Sequence, residues 1–313
     1  MLIYLMRRIL AAIPVMGAVA VMIFLLLRLT PGDPAAIIAG DNVQPQQLAM
    51  IREQLGLNEA LYIQFFRWIG HLLQGDFGTS IISGTPVLQM IQSRLEPTLC
   101  VAVATLILSN LIAVPLGVLA AAHRGSWIDR AVVAVSVIGF SVPVFVIGYA
   151  LIQVFSVQLK WLPVQGFKSI SDGLVPFAER IVLPTLTLTL LYIALITRIT
   201  RTSLLEVLGE DYIRTARAKG IGQLAVLLRH ALRNAAVPII TVVGIGLALL
   251  ITGVVVTESV FNLPGIGRLT IDAVLARDYP VIQAITLLSS MLYVVINLLI
   301  DLSYALLDPR IRY

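Results

Sequence analysis

The chain has 313 residues, 58% of them apolar and only 12% charged, with a mean hydropathy of +0.95. A soluble domain carries about 45–50% apolar and about 25% charged residues, so the composition excludes a disordered chain, a nucleic-acid-binding domain and most soluble enzymes. The net charge is +5, all but three of the basic residues are arginine, and Cys100 stands alone, which leaves no intramolecular disulfide or cysteine metal cluster.

Six stretches lack Asp, Glu, Lys and Arg and are long enough to matter: 9–27, 98–122, 131–159, 181–197, 236–257 and 281–300. A bilayer core of about 30 Å needs about 20 apolar residues, and five of the six reach that length or come within a residue of it. The fourth has 17 residues, but its helical pattern runs on through Arg198 and Arg201, which are expected to snorkel to the interface. The charge-free run 77–93 is rejected as a span. With Gly78, Gly84, Pro86 and many hydroxyls and amides, it reads as an interfacial or loop segment. The first span follows Arg7-Arg8, lacks a small-residue cleavage site and leads straight into Arg28 and Pro31-Gly32-Asp33-Pro34; it reads as an uncleaved first helix.

With six spans both termini share a side. Segments 1–8, 123–130, 198–235 and 308–313 carry 13 Lys+Arg in 60 residues, against 8 in the 112 residues of 30–97, 160–180 and 258–280. The density differs about threefold, so the positive-inside rule predicts that both termini are cytoplasmic.

The first outer loop is too long for a simple connector. Pro45 precedes a predicted helix over 46–55 with Gly56 past its end. Asn58 is expected to cap a second helix over 59–74, closed by Gly75, with Leu61, Phe65, Trp68, Ile69 and Leu72 on one face. This helical layer is either a contact surface for something outside or a cover over the bundle. The cytoplasmic stretch 198–235 holds seven basic residues, with acids only at Glu206, Glu210 and Asp211. Leu204, Leu205, Leu208, Tyr212, Ile213 and Ala216 recur at helical spacing, and Gly220 and Gly222 divide the stretch into two helical pieces. Such a folded basic loop suits either a cytoplasmic protein partner or anionic lipid.

Inside the spans Asn110, Gln153, Asn297 and Asp301 stand out. An intramembrane carboxylate is a functional candidate by default. Asp301 lies near the cytoplasmic end, so a structural pair with Arg310, Arg312 or a loop arginine competes with a gating or transport role, and Asn297 is a candidate for the same polar pairing. Pro14, Pro115, Pro143 and Pro184 are expected to kink spans, and Gly244, Gly246 and Gly253 to allow close helix approach. No glycine precedes a lysine, so there is no G-x-x-x-x-G-K-[ST] phosphate loop. His71, His123 and His230 are isolated, and no G-x-S-x-G elbow exists. These absences predict no catalytic residue, no metal and no bound cofactor; active transport would draw its energy from another subunit or an ion gradient.

The run Glu210-Asp211-Tyr212-Ile213-Arg214-Thr215-Ala216-Arg217-Ala218-Lys219-Gly220, followed by Arg229-His230-Ala231-Leu232-Arg233-Asn234-Ala235 and Pro238, resembles the EAA coupling loop of ABC-importer permeases. Arg214-Thr215-Ala216 stand where the wider family has E-A-A, with Gly220 in place and Glu210 as the nearest acid. Leu5-Met6-Arg7-Arg8-Ile9-Leu10, Pro31-Gly32-Asp33-Pro34, Glu258-Ser259-Val260-Phe261-Asn262-Leu263-Pro264-Gly265-Ile266-Gly267-Arg268, Arg277-Asp278-Tyr279-Pro280 and Asp308-Pro309-Arg310 extend the resemblance over nearly the whole chain. They are similar to the B-type permease of the dipeptide/oligopeptide/nickel branch.

The resemblance implies an all-α membrane protein with the type I importer permease fold. Its parts would be an N-terminal transmembrane helix (1–30), an extracytoplasmic helical loop (31–93), a five-span core (94–307) with the coupling loop at about 198–235, and a cytoplasmic tail (308–313). It implies a bacterial inner-membrane subunit that binds no ATP itself. Two ATPase subunits would use ATP and bind the cytoplasmic loops of the permease pair, on this chain through Glu210, Asp211, Tyr212, Arg214, Ala216, Arg217 and Gly220. A second, C-type permease would share the translocation path, and an extracytoplasmic binding protein would deliver di- or oligopeptides, glutathione, a nickel complex or another small solute. Membrane lipid is the remaining partner, and nucleic acid is not one. A self-sufficient secondary transporter is the rival from another class. It would show an internal repeat, broken helices and several midplane ionisable groups, and only Asp301, off-centre, is present. An intramembrane enzyme would need a paired acid, base or metal set within the spans, and none is visible.

Overall fold

A computed structural model describes residues 2–29, 35, 44–54 and 57–307. Among them the regular structure is helical, apart from one antiparallel bridge between Thr79 and Pro86. Helix α1 (Leu2–Leu29) carries Pro14 and is apolar enough to cross a membrane. Two short helices follow, α2 (Pro45–Gln54) and α3 (Leu61–Leu73). The start expected for α3 is corrected by two residues. Ala60, not Asn58, stands at the cap position and makes no side-chain bond there. The helix supplies its own closure: the Gln64 amide donates to the carbonyls of Leu57 (3.2 Å) and Glu59 (2.8 Å). Phe65 and Trp68 of α3 face Phe24 of α1 at ring separations of 5.3 and 5.9 Å, so this layer is anchored on the first span.

Helix α4 (Val87–Ala122) has 36 residues, about 54 Å at 1.5 Å per residue. It begins eleven residues before the expected span and runs through the boundary expected at 93–94. The sequence pattern stops at Arg94 and Glu96 because they are charged, but Glu96 is satisfied outside the bundle, accepting from the Ser169 hydroxyl (2.7 Å) and the Ile170 amide (3.1 Å). The segment 77–86 is a loop as expected, whereas 87–93 is helix.

The third expected span is broken. Helix α5 (Trp127–Ser141) and α6 (Val144–Leu151), which continues as a π-helix over Ile152–Gln158, meet at 95°. Pro143 forces its predecessor Val142 into extended backbone and ends α5. Helix α7 (Leu174–Leu208) is 35 residues long and absorbs the first part of the predicted loop 198–235. After it come α8 (Asp211–Ala218) and a helical stretch 223–234 whose middle is π-helical, Val226–Ala231. That stretch meets α9 (Ala236–Gly253) at 59°. Helices α10 (Val255–Val260), α11 (Ile266–Ala276) and α12 (Tyr279–Leu307) complete the chain. Among the described residues four helices (α1, α4, α7, α12) are each long and apolar enough to cross a membrane, and there are six such spans if each bent pair is one.

The bundle is centred on α4 against α7. Val101, Leu183, Tyr192, Leu250 and Leu263 form its largest buried cluster. In α9 a β-carbon on Gly244 would collide with Ile300 of α12, and one on Gly246 would lie 2.8 Å from the Tyr192 ring, so both allow the close approach expected of them. Outward faces carry Met22, Ile107, Leu111, Ile138 and Met291, all exposed. An apolar exterior around an apolar core is the pattern of a protein solvated by lipid.

Candidate functional site

The segment from the end of α7 through α8 to Gly220, expected from the sequence to be a coupling loop, is built from the spans upward. At its entry the Arg201 guanidinium of α7 clasps Asp129 of α5 with two bonds of 2.5 and 2.8 Å, and the Gly125 amide donates to the same carboxylate (2.9 Å). Arg201 is therefore committed to a buried partner, which corrects its expected snorkelling to the interface.

Helix α7 then ends at Leu208, and Glu210 takes the cap position of α8 with extended backbone but no side-chain cap. Two residues of α8 point down. Ile213 and Ala216 are buried against Leu204 of α7, Ala121 of α4, Val226 and Ala231 of the π-helical stretch, and Ile239 of α9. Glu210, Asp211, Tyr212, Arg214 and Arg217 point out, and Asp211 forms an exposed 3.2 Å pair with Arg214. The expectation that Ala216 meets a partner is thus corrected: its small side chain seats α8 on this chain's own core.

Gly220 terminates α8 in left-handed conformation (φ +78°) with open space around it. Its amide donates to Arg217 O (2.9 Å) and the next amide, of Ile221, to Ala216 O (3.3 Å), while Ile221 packs on the cluster under α8. This is a Schellman termination, in which glycine is favoured because a β-carbon resists the left-handed turn. Helix α8 is therefore a short helix with a charged outer face, closed at its C-terminal end by Gly220 and resting on three spans.

At the opposite end of the bundle is an assembly whose motif the sequence displayed without revealing its role. Glu258 of α10 is fully buried and lies over the first turn of α11. Its Oε1 accepts from the Thr98 hydroxyl of α4 (2.6 Å) and its Oε2 from the Arg268 amide (2.9 Å). The Thr98 oxygen in turn accepts from the Ile266 amide (2.9 Å). A carboxylate thus satisfies the orphan donors of a helix N-terminus. Burial pushes the Glu258 carboxyl pKa up, opposed by Thr98, the Gly267 and Arg268 amides and the nearby Arg94. Beside it, buried Asp278 accepts from the Ser80 hydroxyl and the Ile81 amide, tying the loop before α4 to the start of α12.

Asp301 lies near the C-terminal end of α12 and pairs with Arg8 of α1. Arg310 and Arg312, named as alternatives, lie outside the described residues. Asn297 does not join the pair; its amide donates to Tyr293 O of its own helix (3.0 Å). Sequence reading missed Thr98, Asp129, Glu258 and Asp278 as a set because each partner lies far off in the chain. Their only common signal is a carboxylate or hydroxyl beside a glycine or proline turn.

Residues 113–313 match the family described as binding-protein-dependent transport system inner membrane component, and residues 1–102 match the N-terminal region of such membrane components. A protein of Sinorhizobium fredii named "Probable peptide ABC transporter permease protein" is 57% identical over 99% of both chains. The glutathione transport system permease proteins of Salmonella paratyphi A and Escherichia coli K12 are 46% and 44% identical over the full length of both chains. Among solved structures, an inward-facing methionine ABC transporter matches with a TM-score of 0.58 at 19% identity, covering 71% of this chain and 97% of its own.

Proposed function

The chain belongs to the family of binding-protein-dependent transport system inner membrane components, and from that premise we propose a full assignment of its role. It is a permease subunit of an ABC importer and not an enzyme. Beside a second permease it lines the path for di- or oligopeptides handed over by an extracytoplasmic binding protein. Two ATPase subunits use the ATP, one on each permease; on this chain the ATPase seats on the outer face of α8, contacting Glu210, Asp211, Tyr212, Arg214 and Arg217, and this chain binds no ATP. Both termini and α8 are cytoplasmic, as the threefold difference in basic-residue density supports.

The observation that carries the coupling role is the seating of α8. Ile213 and Ala216 connect it to α4, α7 and α9 at once, so force on its charged face reaches three spans. The 57% identity to the Sinorhizobium relative favours a peptide as solute. The glutathione permeases are nearly as similar over the whole length, which keeps that tripeptide as the second reading. Reconstitution with two ATPase subunits, a second permease and a binding protein of the same source tests the assignment. Dipeptide or oligopeptide uptake that unlabelled glutathione does not inhibit supports the first reading, and uptake of glutathione alone the second. ATP-independent uptake by this chain by itself would overturn both in favour of a secondary transporter.

A further inference from the structure

Helix α5 touches the bundle mainly through α7 and leaves Val135, Val137 and Ile138 exposed. Between the two helices runs a groove of about 360 Å³. Its walls are Val132, Val133, Val137 and Leu195, with buried Ala194 at its base. Three hydroxyls also reach it, but each is already used. Ser136 donates to Val132 O (2.8 Å), Ser141 to Val137 O (2.8 Å) and Thr197 to Ala113 O (3.3 Å). The slot therefore behaves as apolar along its length.

Its mouth is different. Arg198 and Arg201 both stand there, at the end of the bundle that carries the coupling loop. Arg201 is neutralised by Asp129. Arg198, one turn deeper, has no ion pair and no side-chain hydrogen bond among the described residues. Trp127, exposed at the start of α5, marks the depth at which aromatic rings meet headgroups. A guanidinium left without a counter-charge at the edge of hydrocarbon calls for an anion, and an apolar slot opening onto it calls for a hydrocarbon tail.

We propose that the α5–α7 groove holds one anionic phospholipid, its phosphate on Arg198 and an acyl chain along Val133, Val137 and Leu195. A lipid seated there lies one helical turn from the Arg201–Asp129 clasp and shares its helices. It would stiffen the pair on which the coupling loop is mounted. The occupant is fixed by both ends of the site together: a solute carboxylate would satisfy Arg198 but leave the slot empty, and a zwitterionic lipid would fill the slot but present a less favourable headgroup.

Native mass spectrometry of the full chain, released from micelles with phosphatidylglycerol or phosphatidylcholine of identical chains, tests this. One phosphatidylglycerol should be retained in preference to phosphatidylcholine. Arg198→Gln should reduce that retention about fivefold, the equivalent of about 1 kcal/mol for one arginine at a lipid headgroup, and Arg198→Lys should restore most of it. Val133→Trp, which fills the slot and keeps the charge, should also release the lipid, and it carries the test if Arg198→Gln does not accumulate. Equal retention of the two lipids, or retention unchanged in both variants, would overturn the proposal. Displacement of phosphatidylglycerol by free dipeptide or glutathione would assign Arg198 to the solute and overturn it equally.

Discussion

The Glu258 carboxylate occupies the space that a β-carbon on Gly265 would need. The glycine is therefore fixed by the neighbour that caps its own helix, and the pair explains a sequence motif whose spacing alone is opaque. Gly267, two residues on, is confined in the same way by Val255, with a β-carbon placed 2.8 Å from the valine methyl. Helix α11 is thereby held between α10 and the α4 hydroxyl of Thr98.

Glu258→Ala should destabilise the chain by about 1–3 kcal/mol, because it leaves the first amides of α11 buried without acceptors. Burial already favours the neutral carboxyl, so Glu258→Gln, which retains an acceptor and the shape, should cost less. Gly265→Ala should resemble Glu258→Ala, since the added methyl displaces the carboxylate. Thermal aggregation of the detergent-solubilised chain ranks the three. A Gln variant as weak as the Ala variant would mean that charge, not acceptor geometry, holds α11.

Gly220→Val should cost about 1–3 kcal/mol at its left-handed position and unseat the end of α8 without disturbing the spans. The expected result is normal membrane insertion with loss of uptake and of binding-protein-stimulated ATP hydrolysis. Gly220→Asn should keep most activity, because asparagine tolerates that backbone and nothing lies within 4 Å of the added atom. Gly222→Ala, at φ −60° in open space, should be close to neutral. Coupled transport surviving in Gly220→Val at equal expression would remove α8 from the coupling mechanism.

Asp129→Ala should cost about 2 kcal/mol, within the range for a partly buried charge left unpaired. Arg201→Ala should cost a similar amount, and the double variant less than the two together, with a coupling of about 1 kcal/mol or more. A double-mutant cycle on thermal stability measures this. Strict additivity would show that the 2.5 and 2.8 Å bonds contribute nothing to holding α5 on α7.

Exchange of charges separates a structural from a gating role for Asp301. Arg8→Asp and Asp301→Arg should each lower the level of folded chain, and the combination Arg8→Asp with Asp301→Arg should restore both folding and uptake. Restored folding with uptake still absent would show that the position of the carboxylate, beyond the pair itself, matters to transport.

The apolar runs made the spans legible, and Gly220 with the helical spacing of Ile213 and Ala216 made α8 and its termination legible. That same spacing already placed Ala216 on the inward face with Ile213. The broken third span was half visible: Pro143 announced a kink, but a charge-free run gives no sign that the two halves meet at 95°. Charge also concealed the length of α4, since Arg94 and Glu96 read as the end of a span although Glu96 finds its partners, Ser169 and Ile170, in the segment before α7. Least legible were Asp129–Arg201, Glu258–Thr98 and Arg8–Asp301. Each joins residues between 72 and 293 positions apart, and neither propensity nor periodicity has information at that range.

The pair between Arg8 and Asp301 also sets a timetable for synthesis. Its two members are 293 residues apart, so at about 5–20 residues per second the ribosome needs about 15–60 s between them. Throughout that interval α1 has entered the bilayer but the helix it is to rest against does not exist. The first span must therefore wait at the translocation site or among lipids, and it is clasped only as the final turns of α12 emerge. A truncation that ends before Asp301 should leave the N-terminal helix inserted yet unclasped, exposed to quality-control proteolysis that the finished chain escapes.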